Sequence, residues 1–144
     1  MLAPHLTDIA ARLAGILDSA SADLPVLAVM VRDPDDGELH FGFRPVPGSL
    51  ADAVEEWPAG GDCVAIAVSY PAGASPFLDH AGRDAGQTRT TVALSHDDAT
   101  VLHRHPDGCT TSSPLKGRLL RSMRELWAIR LRAEAIPTPG IFEV

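Results

Sequence analysis

The chain has 144 residues, 12 basic and 19 acidic side chains and a net charge of −7, a length that fits one domain with its own core. Leu, Ile, Val and Phe make up a quarter of it, and Gly with Pro one residue in six. That composition excludes a disordered tail, a collagen-like or low-complexity chain, a coiled coil and, with two cysteines, a disulfide mini-protein.

From Leu2 to Ala20 the apolar residues Leu2, Leu6, Ile9, Leu13, Ile16 and Leu17 recur at steps of three and four, one face of a helix. Pro25 ends it. Val26 to Val31 reads as a β-branched strand, Asp33-Pro34-Asp35-Asp36-Gly37 as a turn, and Glu38 to Arg44 as an alternating strand with Leu39, Phe41 and Phe43 inward and Glu38, His40 and Arg44 outward. Asp33, Asp35 and Gly37 echo the opening of a calcium loop. Pro34 intrudes, however, and Gly42 stands where a bidentate acid is needed, so a hairpin is expected.

Ser49 is placed to cap a short helix, Leu50 to Trp57, and Pro58 to Gly61 stop it. Cys63 to Val68, apolar on both faces, fits a central strand. Pro71 to Thr88 is an eighteen-residue Ala/Gly/Pro/Ser/Asp-rich connection, either a surface loop or a binding loop. Arg89 to Leu94 and Ala99 to His105 form a second hairpin around Ser95-His96-Asp97-Asp98, ended by Pro106-Asp107-Gly108. Ser112 or Ser113 then caps a helix that begins at Pro114 and runs to about Arg132, and Pro137 and Pro139 leave an extended tail over 136–144.

The expectation is a single α+β domain over residues 1–135, with about five antiparallel strands and three helices in the order α-β-β-α-β-β-β-α. Roadblock and profilin-like domains, mostly binding modules, are similar in this succession of elements, an analogy of topology alone. The segment before Thr7 carries no Lys or Arg and the longest purely apolar run is Val26 to Val31, so neither a secretory signal nor a membrane helix is expected. Cys63 and Cys109 read as reduced thiols, and the expected location is cytoplasmic.

The densest polar constellation is His96-Asp97-Asp98 followed by His103-Arg104-His105-Pro106-Asp107-Gly108-Cys109. On a strand His103 and His105 share a face, so both rings can address one zinc ion, with Cys109 or Asp107 as a third ligand. The run His103-x-His105-Pro106, with Ser113 eight positions after His105, resembles the metal motif of JAB/MPN metallopeptidases. Lys116 stands where that motif has its aspartate ligand. The other reading is two histidines on the solvent face of a strand. Cys109 near the histidines is a weaker candidate nucleophile, without an orienting third group. Neither GxGxxG nor GxxxxGK[ST] is present.

Charge is unevenly spread. Between Leu115 and Arg132, Lys116 and Arg118, Arg121, Arg124, Arg130 and Arg132 face the single Glu125, a net +5 that leaves −12 on the remainder. Solvation, pairing with an acidic protein surface and contact with nucleic acid are the three readings of that helix. The acidic remainder and the lack of interleaved aromatics oppose the third.

The sequence therefore points to a non-catalytic binding or regulatory module without a cofactor, whose partner is another protein or a second copy of the chain. Its expected contact surface is Arg118, Arg121 and Arg124 with the Pro71–Thr88 loop. The alternative is a metal-dependent hydrolase built on His103 and His105, with zinc as cofactor.

Overall fold

The computed structural model describes residues 6–19, 24–33, 35–57, 62–71, 88–96 and 98–135. The expected tail over 136–144 and nearly all of the Pro71–Thr88 connection lie outside them. The elements are α1 (Leu6–Ser19), β1 (Val26–Arg32), β2 (Leu39–Pro45), α2 (Leu50–Glu56), β3 (Asp62–Pro71), β4 (Arg89–Ser95), β5 (Ala99–Arg104), β6 (Thr110–Pro114) and α3 (Gly117–Ala135). The strands form one antiparallel sheet in the order β2-β1-β3-β4-β5-β6. The fold is α+β and single-domain, with helices on both faces of the sheet.

Alternation along the strands sorts the core into two layers. On one face Ala28, Ala65, Ala67 and Ala93 make a shallow floor on which Leu6, Leu13 and Leu17 of α1 rest. These small side chains let the helix sit close to the sheet. On the other face Leu27, Val29, Ile66, Val68, Val92, Leu94 and Val101 pack under Leu50 and Val54 of α2 and Met123 and Leu126 of α3. The β1–β3 register jumps from Met30↔Ala65 to Val31↔Cys63 and skips Val64. This bulge resets the alternation, so that Cys63 joins the α2–α3 core while Val64 packs on the α1 side.

The sheet has six strands where five were expected, and α3 starts at Gly117, not Pro114. Pro106-Asp107-Gly108 does not merely end β5. Gly108 takes φ +87, its N–H donates to the His105 carbonyl and the His105 N–H donates to that of Cys109, so the chain reverses. Thr110 to Pro114 then pairs with Arg104 to Thr100. The serines expected to cap the helix are strand residues, and the chain gains one strand beyond the expected succession of elements.

The β1–β2 hairpin and the β4–β5 hairpin form as expected. Ser49 caps α2 as read, its hydroxyl accepting from the Asp52 N–H at 3.3 Å. Phe43, expected on a buried face, is 44% exposed, because β2 is an edge strand and α1 covers β3, β4 and β5 instead. Leu131 of α3 is also exposed. No described helix is long and apolar enough to cross a membrane.

Candidate functional site

His103 lies on β5, in register with Thr90 of β4 and Thr111 of β6. Alternation places it on the α2–α3 side of the sheet with Val101. His105 follows the end of β5, and its Nε2 is 3.0 Å from Thr111 Oγ1. Asp107 is committed to the hairpin, where its Oδ1 accepts from the Cys109 N–H at 2.8 Å. Cys109 is exposed in the same turn and Cys63 is buried in the core, and no disulfide joins them. Among the described residues no group of three His, Cys, Asp or Glu donors gathers around His103 and His105.

Such a group does form at the β1–β2 turn, where donor atoms of Asp33, Asp36 and His40 lie within 4.8 Å of one another. The sequence signal for His40 beside the two aspartates is a strand that enters directly from the turn and so brings the three together. One oxygen of each carboxylate holds the turn itself. Asp33 Oδ1 accepts from the Asp35 N–H at 2.7 Å, and Asp36 Oδ1 accepts from the Glu38 N–H at 2.8 Å. The Asp33 N–H donates to the Glu38 carbonyl, the Gly37 N–H to the Asp33 carbonyl, and Gly37 takes φ +72. Asp33 Oδ2 lies 3.5 Å from His40 Nε2. The carboxylates act first as turn formers, as Asp does wherever it bonds backbone two residues on.

The basic helix divides sharply. Arg130 is fully buried, and its Nη1 donates to the Trp57 carbonyl at 3.1 Å. A guanidinium there meets the carbonyl end of α2, where backbone acceptors lack helical partners. Trp57 is held from the sheet side as well, by the Arg44 guanidinium 4.4 Å from its ring centroid. Arg118, Arg121, Arg124 and Arg132 are exposed, as expected. The side chains of Arg118, Arg121 and Arg124 make no hydrogen bond, ion pair or ring contact among the described residues. Over a rise of about 1.5 Å per residue they line roughly 9 Å of helix.

A second polar layer is internal. Arg89, 2% exposed, donates through Nη1 to Ser69 Oγ at 3.2 Å, and Ser69 Oγ lies 2.8 Å from Thr91 Oγ1. These groups face the α1 side beside Arg104, the register partner of Arg89, and they knit β3 to β4 without reaching solvent. A small gap between α1 and the sheet, lined by Leu6, Ile9, Ala28, Met30 and Ala67 among others, is apolar and offers no group that would orient a substrate.

Compared with protein-family models, curated proteins and solved structures, the chain matches none.

Proposed function

We propose that this protein is a non-catalytic binding module whose contact surface is the arginine face of α3. The observation that supports it is the combination of Arg118, Arg121 and Arg124 on one helix, all exposed and none paired with a carboxylate among the described residues. The body carries a large excess of acid, yet its described carboxylates leave these three cations open. Arginine forks present planar, bidentate donors to carboxylates, so the face suits an acidic protein surface. A long polyanion such as nucleic acid would also meet the repulsion of the acidic remainder.

Affinity capture from the cells of origin tests the reading. Wild-type bait is expected to retain partners that an R118E/R121E/R124E bait loses. An unchanged set of captured proteins counts against the surface.

The alternative, a zinc-dependent hydrolase, draws on His103 and His105 sharing one side of the sheet. It is checked by elemental analysis of protein purified without a histidine tag. About one equivalent of zinc that disappears in H103A/H105A would move the assignment to that class.

A further inference from the structure

We infer that the occupant of the α3 arginine face is a second copy of this chain, docked through its β1–β2 turn. The inference rests on the reading of α3 as the contact surface and names the partner.

Among the described residues, besides the exposed acids Asp52, Glu55 and Glu56 of α2, two exposed patches of opposite sign lie at the same end of the strands. One is Arg118, Arg121 and Arg124. The other is the turn between β1 and β2, where Asp35, Asp36 and Glu38 are exposed beside Asp33. Apart from the Asp33–His40 contact, no cation of the described chain pairs with these carboxylates. The guanidinium of Arg32 donates to the Gly37 carbonyl at 3.3 Å and so lies against the turn's backbone. Each patch is left without a counter-charge that the other would supply.

Topology puts both patches at one end of the sheet. Arg32, the last residue of β1, is in register with Leu39 and Asp62. At that same end Ala65 faces Ser95, Leu94 faces Ala99, and Thr100 faces Pro114. The chain leaves β6 at Pro114 and enters α3 at Gly117, so the arginine face begins at the same end of the strands as the acidic turn, with the turn at the β2 edge of the sheet and the start of α3 at the β6 edge. A two-fold axis past this end sets each turn against the partner's arginines and forms the contact twice, the self-complementary arrangement of an isologous dimer.

Such an interface is electrostatic and salt-sensitive, because exposed charges are screened beyond about 10 Å at 0.1 M salt and about 3 Å at 1 M. Sedimentation velocity on the full chain at 50 and 500 mM NaCl tests it. Wild-type protein is expected to self-associate at low salt, with an apparent Kd that weakens by roughly tenfold or more at high salt. R118E/R121E/R124E and, separately, D35K/E38K are each expected to be monomeric. The second variant spares Asp33 and Asp36, whose carboxylates hold the turn. Mixed in equal amounts, the two charge-reversed variants carry complementary patches and are expected to form a heterodimer. Wild type that stays monomeric at low salt, a variant that self-associates like wild type, or a mixture that stays monomeric overturns the inference. If wild type is monomeric while cellular capture still depends on the three arginines, self-association fails and the binding reading survives. If capture is also indifferent to them, both fail.

Discussion

Arg130 carries the plainest structural assignment of any single side chain. It is buried, and it donates to the carbonyl at the end of α2, so Arg130→Ala removes packing and leaves that carbonyl short of a donor. A loss of roughly 2–4 kcal/mol is expected, the range of a cavity combined with an unsatisfied polar group, and chemical denaturation measures it. Arg118→Ala, on the solvent side, is expected to stay within about 0.5 kcal/mol of wild type. The distinction was legible in the sequence. At 100° per residue from Leu115, Arg130 falls at about 60°, among Leu119 at about 40° and Met123 at about 80°, while Arg118, Arg121 and Arg124 fall at about 300°, 240° and 180°, on the other side of the helix. Gly42 offers a second test at this scale, because a Cβ there would lie 3.2 Å from Cζ2 of Trp57. Valine suits a strand better than glycine does, so any destabilisation in Gly42→Val, expected at roughly 1–3 kcal/mol, reports the clash with Trp57 and the loss of its stacking on Arg44.

Among elements, periodicity and caps fixed α1, α2 and both early hairpins, since each rests on local chemistry such as the Ser49 cap or the Asp33–Gly37 turn. β6 was not legible for a physical reason. Thr110-Thr111-Ser112-Ser113-Pro114 is a polar edge strand with no inward apolar series, and Ser-Pro is also good helix-start chemistry. Pairing with β5 decides between them, and that pairing depends on the reversal at Gly108. Gly108→Val places a β-branched residue at φ +87, a region that costs such residues about 1–2 kcal/mol. It is expected to loosen β6 selectively, so amide exchange should accelerate at Thr110 to Ser113 while β3 stays protected. Uniform acceleration across the sheet would contradict an independent terminal hairpin. On the opposite face Leu13 is fully buried over the alanine floor, and Leu13→Ala is expected to cost about 3 kcal/mol in a denaturant titration. The exposure of Phe43 was hidden from pattern reading because alternation assigns a face, and only the position of α1 says whether that face is covered.

For the whole molecule, the fold leaves an acidic body, an arginine helix face without internal partners and a histidine pair without a third donor among the described residues. The sequence pointed to a basic helix near the end of the chain and to His103 on a strand, but the helix starts at Gly117 and His105 follows the end of β5, and which donors the fold gathers depends on long-range pairing. The turn cluster of Asp33, Asp36 and His40 emerged only once β1 and β2 were paired. Binding through α3 makes that helix face separable from the other charged surfaces. The most direct measurement is quantitative capture from native cells with three baits: wild type, R118E/R121E/R124E, and a control that reverses the exposed α2 acids, D52K/E55K/E56K. Specific partners should be retained by wild type and by the α2 control and lost only from the arginine variant. Equal recovery on the arginine variant, with its fold intact by circular dichroism, would contradict the assignment.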